Sequence, residues 1–285
     1  MIVANNRELL RETVQAWRNA QLKIGFVPTM GNLHAGHLAL VKEAQQHCDK
    51  VIVSIFVNPT QFGPSEDFDR YPRTEQQDCQ LLKACHTDLV YLPTELELYP
   101  TGRTTKTQIL PAYADILCGI HRPGHFSGVA QVVIKLFNLV QPDVAVFGQK
   151  DYQQLTMLRQ MTQELNFPIE IIAAPTVREE DGLALSSRNQ YLTKQQREVA
   201  PCLYQTLTDV RDRLLSAKLN FATVIEEASN LLEEKGFKVE YLELRDSTDL
   251  SIVSSAQKEV TLLVAAYLGK TRLIDNLSFT LNNEI

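Results

Sequence analysis

The stretch KIGFVPTMGNLHAGH, Lys23–His37, decides the fold. An apolar run from Ile24 to Val27 passes through Pro28, Thr29 and Met30 into a turn marked by Gly31. It then enters a stretch of helical period, 36–47. Strand, glycine-bearing turn and helix in that order open an α/β unit, so the spacing predicts a strand over 23–30 and a helix over 36–47.

The same alternation continues outward. VIVSIFV, 51–57, reads as a buried strand by its β-branched content, 74–85 as a helix and DLVYL, 88–92, as a strand. A helix over 127–140, a strand over 143–147, a helix over 152–165 and a strand over 169–173 follow. Apolar strands without strict alternation, separated by helices, belong to a parallel sheet covered on both faces. The expectation is a Rossmann-like, doubly wound α/β fold. The pattern changes near Pro175. A helix capped by the box Thr193–Gln196 carries the stripe Val199, Leu203, Leu207, Val210 and Leu214,. A second carries Val224, Ala228 and Leu231, and strands follow over 239–244 and 260–268. Two domains are expected: residues 1–175, Rossmann-like, and residues 176–285, a smaller α+β domain.

Bulk properties exclude several classes. A net charge of -6 argues against a nucleic-acid-binding surface,. The 5 cysteines form no CxxC pair, which disfavours a zinc ribbon or disulfide framework and fits a reducing compartment,. The charges at Arg7, Glu8, Arg11 and Glu12 interrupt any signal-peptide core,. The longest apolar runs, 51–57 and 262–268, are too short to span a bilayer as helices,. A cytoplasmic protein without membrane or nucleic-acid partners is the expectation.

Five segments could carry chemistry. In Pro28–His37, at the carboxyl end of a strand, a helix N-terminus suits a phosphate, glycines let backbone approach a ligand, and His34 and His37 can donate to phosphate oxygens,. Two capping histidines are the plainer reading. A zinc site lacks a third ligand at suitable spacing. In Phe56–Gly63, the amides of Asn58 and Gln61 suit a small hydroxy acid, and the following 63–73 reads as a mobile lid,. In Gly148–Gln154, Lys150 can meet a phosphate, Asp151 can bind a metal–phosphate or cap a helix, and Gln154 lies one turn after Lys150,. Leu185–Asn189 offers Ser186, Ser187 and Arg188 to a polyphosphate,. In His121–Phe126, Arg122 can face an anion or sit in a rigid surface loop. No Walker A or GxGxxG pattern is present; Gly269-Lys270-Thr271 has only the end of the former,.

Together PTMGNLHAGH, SIFVNPTQF, RYPRT, RPGHF, KLFNLVQPD, FGQKDYQQL, DGLALSSRNQYL and RLIDN resemble the pantoate–β-alanine ligase family of the HxGH nucleotidyltransferase superfamily. The likeness runs from residue 28 to 276. It implies condensation of pantoate with β-alanine using ATP and Mg²⁺, through a pantoyl adenylate, with release of AMP and pyrophosphate. It also implies a homodimer. By motif match, Met30, Gly31, Asn32, Leu33, His34, Ala35, Gly36 and His37 line the ATP site with Gly148, Gln149, Lys150, Asp151, Val177, Leu185, Ser186, Ser187 and Arg188. His34, His37, Lys150 and Arg188 are the expected catalytic groups. The family's proton donor falls on His37, although a carboxylate nucleophile needs no base and donation to phosphate is the simpler role. Gln61 and Gln154, with Asn58, are expected to hold pantoate, Gln61 also lying near β-alanine. The metal ligands are not implied. Gln149 stands where many relatives carry Glu, so only its backbone is assigned; Ser127 stands where Arg is frequent. A nucleotidyltransferase acting on a phosphorylated alcohol would share HxGH without needing Gln61 and Gln154. A non-catalytic nucleotide binder would need no leaving-group donors.

Overall fold

A computed structural model describes residues 1–64, 66–104, 115–216, 220–253 and 259–281. Six parallel strands form one sheet: β1 (Ile2–Ala4), β2 (Ile24–Thr29), β3 (Lys50–Ile55), β4 (Leu89–Tyr91), β5 (Val144–Gly148) and β6 (Glu170–Ala174). Their order is β1-β4-β3-β2-β5-β6. The connecting helices are α1 (Arg7–Asn19), α2 (Ala35–His47), α3 (Glu75–Ala84), α4 (His125–Val140) and α5 (Tyr152–Glu164). Val51, Ile52 and Val53 are at most 1% exposed, as expected for a strand covered on both faces,.

The order contains one reversal. The chain runs from β2 outward through β3 to β4, then returns to the other side of β2 as β5. Gly25 pairs with Val144 and Phe26 with Ala145, both in parallel, so the carboxyl ends of β2 and β5 lie side by side. This is the topological switch point where open α/β sheets bind ligands. The strand β1 went unpredicted: three residues at a sheet edge are too few to show a period.

The contact pattern divides the chain into two compact units, residues 1–149 with 157–175, and residues 150–156 with 176–285. The second contains α6 (Lys194–Val199), α7 (Cys202–Ser216) and α8 (Phe221–Glu234). It also holds the antiparallel strands β7 (Phe237–Asp246), β8 (Glu259–Leu268) and β9 (Thr271–Thr280). Leu203, Leu207, Val210 and Leu214 share a core with Val224, Ala228 and Leu232 and with Leu262, Val264, Ala266 and Leu268 of β8.

Three details differ from the sequence reading. The single helix expected from Thr193 onward is two, broken at Pro201, which has no N–H to donate and clashes with the preceding turn,. The stripe of α8 runs Val224, Ala228, Leu232; Leu231 is 43% exposed. The third strand, β9, follows β8 through the two-residue turn Gly269-Lys270, which resembles the end of a Walker loop in sequence but is a hairpin turn.

Candidate active site

The turn after β2 is shaped by two consecutive left-handed residues, Gly31 at φ +80° and Asn32 at φ +50°. A Cβ at Gly31 would stand 2.9 Å from Ile55 Cγ2, so glycine is required by both conformation and space,. The turn closes over a carboxylate. Asp78 of α3, 1% exposed, accepts from Asn32 N at 2.9 Å, Leu33 N at 2.8 Å and Thr74 Oγ1 at 3.1 Å. Motif matching overlooked Asp78 because, in sequence, it is one more charge on an amphipathic helix.

The two histidines build the helix start. His34 is the N-cap of α2, and its Nδ1 accepts from Gly36 N at 3.2 Å; His37 Nδ1 accepts from His34 N at 3.3 Å. This is a capping box in which imidazoles replace the usual hydroxyl and carboxylate. The cap engages Nδ1 of each ring and is compatible with a further role for the rest of the imidazole. A ring nitrogen that accepts from backbone N–H carries no proton, so in a neutral imidazole the hydrogen sits on Nε2. The cap fixes both rings, centroids 4.1 Å apart, as Nε2–H donors. The expectation of backbone N–H groups offered to an anion changes accordingly. Those of Asn32, Leu33, His34 and Gly36 bond to Asp78 or the histidines.

Beyond β3, one turn of 3-10 helix, Pro59–Gln61, carries Gln61. Asn58 beneath it is 1% exposed. Its Nδ2 donates to Gln61 Oε1 and to Gly128 O, both at 3.1 Å, and its Oδ1 accepts from Thr60 Oγ1 and Tyr99 OH, both at 3.0 Å. The Gln61 amide is set between this acceptor contact and Met30, where Nε2 meets Sδ at 3.1 Å. The turn rests on α4 at Gly128, where an added Cβ would lie 2.2 Å from Thr60 O.

A chain of charge-assisted bonds backs the same turn. His125 Nδ1 donates to Gln61 O at 2.8 Å, and Arg122 Nη1 donates to His125 Nε2 at 2.9 Å. Because guanidinium cannot accept, the protonated nitrogen of His125 is Nδ1. Arg122 also grips Glu66 through two bonds of 2.8 and 2.6 Å. Arg122, read from the sequence as an anion contact or as part of a rigid surface loop, is thus tied to the 63–73 segment. Ser65 of that segment lies outside the described residues.

Gly148 ends β5 and Gln149 follows it, both in the first unit; a Cβ at Gly148 would lie 3.8 Å from Leu40 Cδ2 of α2. The remaining expected residues belong to the second unit. Lys150 Nζ is 3.7 Å from Asp151 Oδ2, and Gln154 follows one turn later on α5. Leu185 N donates to Val177 O at 3.0 Å, and Ser186 Oγ caps a 3-10 turn, Ser187–Tyr191, by accepting from Arg188 N at 3.2 Å. Among the described residues, no three His, Cys, Asp or Glu side chains cluster as a metal site, and no helix is long and apolar enough to cross a membrane.

The family model for pantoate-beta-alanine ligase matches residues 2–278. The chain is 51% identical to a pantothenate synthetase of Stutzerimonas stutzeri, covering 97% of each. It is 50% identical to one of Hydrogenovibrio crunogenus, covering 99% of this chain and 100% of that one. A crystal structure of pantothenate synthetase from Thermus thermophilus superposes with a TM-score of 0.88 at 43% identity, covering 97% of this chain and 99% of that one. A pantoate-beta-alanine ligase from Francisella tularensis, complexed with beta-gamma ATP and beta-alanine, gives 0.82 at 38% identity, with 97% of each chain covered. With its motifs, its switch point and these relatives in agreement, the chain belongs to the pantoate–β-alanine ligase family.

Proposed function

We propose that the ATP-dependent condensation of pantoate with β-alanine proceeds in this chain through a pantoyl adenylate, with His34 and His37 as neutral donors to the reacting phosphate. A pantoate carboxylate oxygen attacks the α-phosphorus and pyrophosphate leaves. The amine of β-alanine then attacks the acyl carbon, loses a proton, and AMP departs carrying the oxygen that pantoate supplied. The carboxylate nucleophile is already ionised, so the first step needs charge stabilisation rather than a base. The observation that carries this reading is the reciprocal cap, which holds both imidazoles as Nε2–H donors beside the switch point,.

Around this pair, Met30 through His37, Gly148, Gln149, Asp151, Val177 and Leu185 line the nucleotide. Lys150, Ser186, Ser187 and Arg188 take its phosphates. Gln61 and Gln154 hold pantoate. The amide of Asn58 is engaged by Gly128, Gln61, Thr60 and Tyr99, so its contribution runs through Gln61. Mg²⁺ fits as a partner of the triphosphate: a hard cation of this kind keeps phosphate and water ligands and needs only one or two protein carboxylates. Asp151, half-exposed beside Lys150, is the carboxylate of that turn. The ion supplies charge neutralisation on the phosphates. We assign residues 1–175 and 176–285 as two domains, with 150–156 of the first grouping by contact with the second. A homodimer follows from the family resemblance, and a reducing cytoplasm suits five free thiols.

Initial rates with ATP, pantoate and β-alanine, each omitted in turn, test the scheme. AMP should accumulate in step with pantothenate only when all three are present. ADP, or pyrophosphate released together with a dinucleotide-like product when a phosphorylated alcohol replaces pantoate, overturns it.

A further inference from the structure

The motif RLIDN, Arg272–Asn276, has no part in the chemistry above, yet its last residue reaches the Lys150 turn. Asn276 of β9 is 7% exposed, and its Nδ2 donates to Lys150 O at 2.9 Å. Its own N–H donates to Asp275 Oδ1 at 2.8 Å. Asp275, 4% exposed, receives both arms of Arg178, Nη1 to Oδ2 at 2.6 Å and Nη2 to Oδ1 at 2.8 Å. The Arg178 guanidinium lies 3.5 Å from the Tyr204 ring centroid and donates to Gly182 O at 3.1 Å. Immediately after the turn, Tyr152 OH donates to Ser247 O at 2.8 Å.

We infer that Asn276 is a positioning residue for Lys150, holding through its carboxamide the peptide from which the lysine side chain starts. This rests on the reading of Lys150 as a phosphate partner. A lysine stem has four rotatable carbons, so where its ammonium can settle depends on the orientation of the backbone that launches it. The residues before α5 form a single 3-10 turn, Gln149–Asp151, a type with poorer hydrogen-bond geometry than an α-helix and in need of outside support,. The bidentate, ring-stacked Arg178–Asp275 pair fixes the strand that supplies that support. The same arginine precedes the Gly182 turn and follows Val177, whose carbonyl accepts from Leu185 N at 3.0 Å. One side-chain chain, Arg178–Asp275–Asn276, thus sets both the Lys150 turn and the base of the Ser186–Arg188 loop.

A double-mutant cycle for ATP turnover tests this, using Asn276→Ala, Asn276→Asp and Lys150→Ala in the full-length protein. Asn276→Asp keeps the shape but turns an oxygen toward the Lys150 carbonyl, and serves if the alanine variant folds poorly. A displacement of about 1 Å at a reacting group costs roughly a hundredfold, so each Asn276 variant should lose about 10- to 100-fold in kcat/KM for ATP while KM for pantoate stays within about twofold. In the Lys150→Ala background the Asn276 effect should vanish. If Lys150→Ala lowers turnover and Asn276→Asp still lowers it further by its full factor, Asn276 does not act through Lys150 and the inference fails. If Lys150→Ala leaves turnover unchanged, the reading of Lys150 itself fails.

Discussion

Gly128→Ala is the sharpest single perturbation of the proposed pantoate side of the site. The new methyl would sit 2.2 Å from Thr60 O, 2.5 Å from Thr60 C and 2.7 Å from Gln61 N. All three are backbone atoms, so no rotamer change relieves the overlap. Ordinary contact begins near 3.4 Å. The Pro59–Gln61 turn must therefore retreat from α4 by about 1 Å, a small-to-large change of the kind that costs ~1–3 kcal/mol in stability. The retreat also pulls Gln61 O from His125 Nδ1 and weakens the two Asn58 Nδ2 bonds. A 1 Å misplacement of a substrate-holding group costs about 10²-fold, or roughly 2.7 kcal/mol of transition-state binding. Steady-state rates against pantoate should show kcat/KM reduced about a hundredfold, with KM for ATP changed far less, since the nucleotide turn at Gly31–His37 is untouched. Wild-type pantoate kinetics in Gly128→Ala, with an unchanged Tm, would refute the claim that this close approach places Gln61.

Other outcomes follow from the same geometry. His37→Ala removes both a cap acceptor and an Nε2–H donor and should lower kcat by about 10²–10³-fold in an AMP-release assay, beyond any loss in thermal stability. Asp78→Asn leaves one of the two N–H groups it now accepts from facing an amide NH2 and should cost ~1–3 kcal/mol by denaturant unfolding, with pyrophosphate release falling in parallel,. Leu207→Ala, at a fully buried position of the second core, should cost ~2–5 kcal/mol without altering the KM for pantoate,. Burial pushes the Cys48 thiol from 9.0 up to about 11. The thiolate fraction at pH 8 is then roughly a hundredfold below that of an ordinary thiol, and alkylation timed by mass spectrometry should be correspondingly slow, accelerating only as pH approaches 11.

The alternation of apolar runs and helical periods was legible because a parallel strand buried on both faces must be continuously apolar, as in Val51–Ile55. The Thr193–Gln196 box was legible because capping is local chemistry, and both of its hydrogen bonds are present. What escaped inspection depends on distant partners. Asp78 gains meaning only when α3 brings it beneath the left-handed pair Gly31–Asn32. Gly128 matters because Thr60 lies against it, and His125 because Gln61 O does. The cap formed by His34 and His37 was visible as a possibility, yet which ring nitrogen is spent on the backbone could be read only from distances. The strand β9 was hidden for another reason: Asp275 and Asn276 are buried polar residues in its middle, and they break the apolar pattern that announces a strand.

In the adenylate route pantoate's carboxylate oxygen becomes bonded to the α-phosphorus. Pantoate carrying ¹⁸O in its carboxylate, turned over with ATP and β-alanine and analysed by mass spectrometry, tests it directly. One ¹⁸O in AMP for each pantothenate formed is the predicted result. Label in inorganic phosphate, or AMP without label, would contradict the adenylate route and with it the roles given to His34 and His37.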